Sequence, residues 1–220
     1  MKLQFSYSGL KKFITCARQY AAVKVFKTCV EEPGDAANYG KQVHSALEEY
    51  VKAGTPLPLN YVRFKAVVDE LLEINGTKYV EREIAINDKH NPCAFDSSDY
   101  YVRGIIDLLI VQERTAYIFD YKTGSDKYAD VRQLRLLALL VFHTYPQVDV
   151  IKAGLIFLGA NSFKPEEYTR GDMCTLWAGF GADIARLTYS YEHNWWPENP
   201  SGLCRKFCPD LSCPHNGRGR

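Results

Sequence analysis

Residues 102–124 read VRGIIDLLIVQERTAYIFDYKTG. Two apolar runs here are each broken by a carboxylate, Asp107 in the first and Asp120 in the second, and Lys122 follows Asp120 by two positions. Residues two apart on a strand project to the same face, so Asp120 and Lys122 point together and a neighbouring strand brings Asp107 beside them. A carboxylate buried without a partner is costly. Two of them converging beside an ammonium make a site for Mg²⁺ or Mn²⁺, hard cations that prefer oxygen ligands. Such a cation lowers the pKa of bound water and neutralises charge developing on a phosphate, while the lysine orients the attacking water. The plain alternative is a buried salt bridge among the three, and an isolated D-x-K is read that way. Asp107 on the preceding strand, the turn-like Thr123–Gly124 and the glutamine-bearing helix that follows weigh against it.

Two further groups of residues carry chemistry. His44 and Glu48 are four apart in a helical pattern and share a face. A neutral imidazole is a common ligand for Mn²⁺-like metals and a less usual one for Mg²⁺; alone, His44 reads as a half-buried helix histidine paired with Glu48. In VEREIAI, Glu83 is a candidate extra carboxylate with Glu81 alternating on its face, although a solvated strand face or a structural salt bridge is the first reading of both. The last group is GLCRKFCPDLSCPH, with Cys204, Cys208 and Cys213. A tetrahedral thiolate site needs a fourth ligand. His215 is nearest, but a C-P-H pair must bend sharply to reach one metal; Cys16, Cys29, Cys93 and Cys174 are the remaining thiols. Four thiolates suit a [4Fe–4S] cluster, and zinc in the same set is identical in sequence.

The elements that position these residues follow from periodicity. A helix capped by Ser6 or Ser8 carries Leu10, Phe13, Ile14 and Ala17 at helical spacing, with Cys16 inside it. EEPGDAAN breaks the chain, and a second helix runs over about 37–52. YVRFKAVVDELLEI makes a third, closed by Asn75–Gly76. Strands are expected over KYVEREIAI, YYVRGIIDLLIVQ and TAYIFDYK, the last two joined as a hairpin at ERT. YADVRQLRLLALLVFHTY is a helix stopped by Pro146, VDVIKAGLIFLG a strand buried on both faces, and a last helix covers about 172–193. Helices, three strands, a helix, a strand and a helix make a mixed α/β domain with a helical cap in front.

Composition bounds the answer without choosing it. The chain has 220 residues, 46% hydrophobic and 24% charged, an ordinary globular balance. A formal net charge of +1 does not advertise a nucleic-acid partner, so such binding needs a local basic face. Arg18, Lys24, Lys27, Arg205, Lys206, Arg218 and Arg220 are candidates for one, with aromatic residues for stacking. No apolar run is long enough to span a membrane, and the start lacks a signal-peptide pattern. The expected setting is a reducing cytoplasm, where seven cysteines, an odd number, stay free or bind metal.

The ordered pieces FSYSGLKKFITCARQY, GKQVHSALEEY, GIIDLL, FDYKTG, RQLRLLAL and CRKFCPDLSCPH together resemble the RecB-type branch of the PD-(D/E)xK nucleases, which includes CRISPR-associated RecB-like and phage exonucleases. The resemblance covers nearly the whole chain. It implies a restriction-endonuclease-like core, a mixed central sheet flanked by helices, over 76–195, with a helical region over 1–75 carrying Cys16 and His44, and a cysteine tail over 196–220. It further implies that His44, Asp107, Asp120 and the backbone carbonyl of Tyr121 hold Mg²⁺ or Mn²⁺, that Lys122 is the catalytic lysine, and that Gln133 braces the site or contacts the nucleic-acid backbone. Cys16 then joins Cys204, Cys208 and Cys213 around a [4Fe–4S] cluster. Two departures stand out: the family's Q-x-x-x-Y has Leu137 in its last place, and Ile106 replaces the proline before Asp107. The tail spacing, C-x3-C-x4-C, also differs from the branch's usual C-x2-C-x5-C and keeps zinc or an empty thiol cluster open.

The function this points to is a DNA exonuclease acting on single strands or duplex ends without sequence specificity, working with a helicase or recombination protein. A structure-specific endonuclease with the same site, or a DNA-binding scaffold that has lost catalysis, are the alternatives.

Overall fold

The computed structural model describes residues 3–218. Arg220 therefore lies outside the described residues. Gly34–Trp177 form one compact unit, and the flanking segments, up to Pro33 and from Ala178 onward, form a second.

The flanking unit starts with β1 (Phe5–Ser6) and α1 (Tyr7–Thr15). Ser6 caps α1, its hydroxyl accepting from the Gly9 amide at 3.3 Å. Cys16 is not inside this helix, as its spacing suggests, but extended at φ −162°, ψ 112°. Its amide still closes α1 on the Lys12 carbonyl at 3.0 Å, and the chain restarts as α2 (Ala17–Tyr20) and a π-helical turn over Ala21–Val25. The core of the unit is aromatic. Tyr20 lies edge-on to Phe13 and meets Trp196, with ring centroids 5.8 and 6.0 Å away, and its hydroxyl bonds that of Tyr191 at 2.9 Å.

The central unit holds the helices α3 (Asp35–Ala53), α4 (Lys65–Leu72) and α5 (Arg132–Thr144), and the strands β2 (Thr77–Asn87), β3 (Pro92–Cys93), β4 (Tyr100–Gln112), β5 (Thr115–Lys122), β6 (Val150–Phe157) and β7 (Ser162–Thr169). The strands lie side by side in the order β3-β2-β4-β5-β6-β7. All neighbours are antiparallel except β5 and β6, which pair in parallel from Thr115↔Val150 to Lys122↔Phe157. A parallel pair needs a crossover, and α5 supplies it. Residues Leu136–Phe142 of α5 are all buried, consistent with a helix set into the core. The expected hairpin is present, its turn the two residues Glu113–Arg114 between the Gln112↔Thr115 pair.

On the α3 and α4 side, Val43 and Leu47 of α3 and Val68 of α4 pack with Leu108, Ile110, Phe119 and Ile156 of the sheet. Gly54, at φ +68°, ends α3 in the left-handed conformation that glycine adopts without penalty. The third expected helix is shorter than its pattern, because Val62–Phe64 form a 3-10 turn before α4. β7 has no counterpart in the strand pattern: Lys164, Pro165, Glu166 and Glu167 give it the charged, proline-bearing character of an edge strand, which polarity alone assigns to a loop. The last helix, α6 (Met173–His193), is as expected. No described helix is long and apolar enough to cross a membrane.

Candidate active site

The β4–β5 ladder stops at the Leu108↔Phe119 pair, one residue short of Asp107 and Asp120. Where strands part, backbone groups need other partners. Here a side chain takes the role of the lost ladder: the Tyr121 amide donates to Asp107 Oδ2 at 2.6 Å. The Tyr121 carbonyl faces the other way, 2.9 Å from His44 Nε2, and His44 Nδ1 lies 3.4 Å from Asp107 Oδ1. One turn of α3 and one strand end thus converge on the same few ångströms.

Glu81 joins them. It is a non-glycine residue at φ +48°, a sparsely populated conformation that marks local strain. Val80 pairs with Leu108 and Arg82 with Ile106, while the Glu81–Asp107 step between them is unpaired. Ligand atoms of His44, Glu81 and Asp107 all lie within 4.8 Å of one another. Glu83, which the sequence favours over Glu81, is exposed. The signal for Glu81 was available: once β2 and β4 pair antiparallel, the residue opposite Asp107 is Glu81.

Asp120, only 2% exposed, is held from the other side. Gln133, in the first turn of α5, donates from Nε2 to Asp120 Oδ1 at 2.6 Å and accepts at Oε1 from Lys122 at 2.9 Å. Lys122 Nζ completes the triangle 2.5 Å from Asp120 Oδ2, as an ion pair lacking hydrogen-bond alignment. Leu137, in the place where the family has tyrosine, is buried and faces Gly104, where an added Cβ would meet Leu137 Cδ2 at 2.7 Å. The glycine three residues before Asp107 thus makes room for this leucine, and the position serves packing.

Charge concentrates here. Burial opposes protonation of His44, but its contact with Asp107 and the charges of Asp107, Asp120 and Glu81 outweigh it, raising the imidazole to about 9. Burial, then Asp107, push Glu81 up to about 7. Burial and Asp107 also push Asp120 up, against the pull of Lys122. Carboxylates this short of positive charge are the donor set a divalent cation satisfies. The residues fit such an ion: an imidazole, three carboxylates and one carbonyl, with Asp120 outside the close group of His44, Glu81 and Asp107.

In the flanking unit, Cys16, Cys204, Cys208 and Cys213 line one cavity of about 330 Å³, together with Lys11, Lys12 and His215. The tail around it is bonded in detail. Arg18 donates to Asp210 and Glu198 at 2.8 Å each and to Ser212 at 3.2 Å, so its charge is spent locally. Asn216 donates to the carbonyls of Cys208 and Asp210, and the Gly217 amide to that of Cys204. Burial raises the Cys208 thiol. Among the described residues, no three of these sulfurs approach one another as closely as the His44 group does. His215 is paired with Glu198 at 3.2 Å.

Residues 4–215 match the sequence profile of the PD-(D/E)XK nuclease superfamily. No curated protein matches significantly. Among solved structures, the chain is similar to one from Eubacterium rectale provisionally designated an exonuclease, at 13% identity over 92% of this chain and 86% of that one, with a TM-score of 0.55. It is also similar to the protein named SSO0001, at 14% identity over 98% and 88% of the two chains, with a TM-score of 0.45.

Proposed function

The chain belongs to the PD-(D/E)XK nuclease superfamily, and we propose that within it this protein is a Mg²⁺- or Mn²⁺-dependent deoxyribonuclease, an exonuclease acting on single strands or duplex ends without sequence specificity. The observation that carries the reading is the meeting of His44, Glu81, Asp107 and the Tyr121 carbonyl at the point where β4 and β5 part, with the Asp120–Lys122–Gln133 triangle beside them. His44, Glu81, Asp107, Asp120 and the Tyr121 carbonyl would hold the ion. When bound, it supplies charge neutralisation at the scissile phosphate and acidifies water. Lys122 orients the attacking water and donates to the phosphate oxygens, and Gln133 fixes the lysine's direction by accepting a hydrogen bond from it while donating one to Asp120. Gln133 is therefore a positioning residue.

The exonuclease reading takes support from the designation of the Eubacterium rectale protein, whose likeness is one of fold. Phosphate contacts and stacking, which carry no sequence information, suffice for such binding. An intact constellation weighs against a scaffold that has lost catalysis. For the cysteines, we favour a [4Fe–4S] cluster over zinc. All four line one cavity, and four thiolates suit such a cluster. A helicase or recombination protein as partner, and a cytoplasmic setting suited to cysteines that form no disulfide, complete the proposal.

Asp120→Ala and Lys122→Ala are each expected to abolish Mn²⁺-dependent degradation of linear single-stranded DNA; undiminished degradation by either refutes the site. Cleavage of circular single strands refutes the exonuclease reading in favour of an endonuclease with the same chemistry. Anaerobic purification is expected to give brown protein containing iron and sulfide; colourless protein containing zinc overturns the cluster.

A further inference from the structure

Helices cover the two faces of the sheet unequally. On one face of β6, Ile151, Ala153 and Leu155 are buried, on the side where α5 packs. On the other face α4 is the last helix, and the ladder continues past it with the pairs Ile156↔Phe163, Gly154↔Pro165 and Lys152↔Glu167. A cavity of about 700 Å³ runs there, with Val67 and Leu71 of α4 and Phe119 of β5 along its inner side and Phe163 of β7 along its outer side. Phe163 leans over Gly154, where an added Cβ would meet its ring at 1.9 Å, and is still 51% exposed. A sheet face ordinarily packs against helices. Strands lie about 4.8 Å apart and packed helices about 8–10 Å apart, so β6 and β7 together are as wide as one helix laid beside α4. From Lys152 to Leu158 the floor runs about 20 Å, the length of about 13 helical residues.

Shape and charge decide what covers this groove. Strand addition at the neighbouring edge is interrupted by Pro165, which has no amide to give. The rims are acidic on both sides, Glu70 on α4 and Glu166 and Glu167 on β7. Of the two cations beside them, Arg63 is turned to the Tyr39 hydroxyl at 3.2 Å and the Phe64 ring at 4.8 Å, and Lys152 stands across the ladder from Glu167. The matching ligand is a helix with an apolar stripe between rows of cations. This chain's own helices do not offer one: among the described residues, Tyr189 is the only exposed large apolar side chain in an α-helix. We propose that the groove docks an amphipathic helix of a partner protein, its apolar stripe on Phe119, Ile156 and Phe163 and its flanking lysines or arginines toward Glu70 and Glu167. The far end of the groove is the strand end that carries Lys122, whose carbonyl accepts from the Leu158 amide at 2.9 Å. The inference holds independently of the nuclease reading.

The test uses fluorescein-labelled synthetic peptides and fluorescence anisotropy on the full chain. The probe is a helix-forming peptide with leucines at i, i+3, i+4 and i+7 between lysines; its controls are a scrambled isomer and a version with glutamate for lysine. The wild type is expected to bind the probe about tenfold or more tighter than the isomer. Ala66→Trp, which fills the groove from an exposed position on α4, is expected to weaken the probe by about tenfold or more. The double variant Glu70→Lys, Glu167→Lys is expected to reverse the preference, binding the glutamate peptide more tightly than the lysine one. Equal binding of probe and isomer by the wild type overturns the proposal, as does undiminished binding by Ala66→Trp with native circular dichroism, or a double variant that still prefers lysine. A wild-type dimer in light scattering that Ala66→Trp converts to monomer also overturns it, in favour of a second copy of this chain on the groove.

Discussion

In the protein without bound metal, a proton on His44 takes up part of the charge a cation would carry, and this makes stability fall as pH rises. The imidazole titrates at 6.5 in the unfolded chain and at about 9 in the fold. A raised pKa means that the folded state binds the proton more tightly, so the contribution is fully present below 6.5 and lost as pH rises through 9. At about 1.4 kcal/mol per pH unit the interval is worth roughly 3 kcal/mol. Glu81 acts in the same direction at lower pH: raised from 4.5 to about 7, it costs stability progressively between those values. Its contribution is smaller, because the half-exposed carboxylate is screened by solvent. Urea unfolding in EDTA, followed by circular dichroism, is expected to show wild type losing roughly 3 kcal/mol more than His44→Gln between pH 6 and pH 9.5. Mn²⁺ at high pH should restore the loss in wild type and not in the variant, since an ion that binds only the fold stabilises it in proportion to ln(1 + [L]/Kd). Equal pH dependence in the two proteins refutes the pairing of His44 with Asp107.

Four further outcomes are expected. Gln133→Leu leaves both Asp120 and Lys122 without their shared partner and is expected to lower kcat on single-stranded DNA by roughly 10- to 100-fold with little change in KM; a change confined to KM would instead make Gln133 a DNA contact. Gly104→Ala sets a Cβ against Leu137 Cδ2 at 2.7 Å and is expected to cost about 1–3 kcal/mol, part of it regained with Leu137→Val, as read by thermal melts of single and double variants. Arg18→Ala leaves the buried Asp210 carboxylate and that of Glu198 without their partner and is expected to expose the tail to limited proteolysis before the central unit, and, on the proposed cluster, Cys208→Ala is expected to lower iron content.

What the sequence by itself determined was whatever depends on neighbours along the chain. The alternation that puts Asp120 and Lys122 on one face, the helical spacing of His44 and Glu48, and the apolar continuity of VIKAGLIF are local patterns, and each appears as read. Tertiary structure decided the rest. Cys16 leaves its helix because an extended residue there turns the chain, and no helical periodicity records a single break. β7 forms because β6 offers it a ladder, although its own residues look like a loop. Glu81 rather than Glu83 joins His44 and Asp107 because register and one left-handed residue set it opposite Asp107, and a run of alternating glutamates cannot say which of them a partner strand will face. The meeting of Cys16 with residues 204–213 in one unit is likewise long-range. Sequence supplied the chemical groups; the parting of β4 from β5 decided which of them meet, because only there does the backbone stop satisfying itself and leave carboxylates to do it.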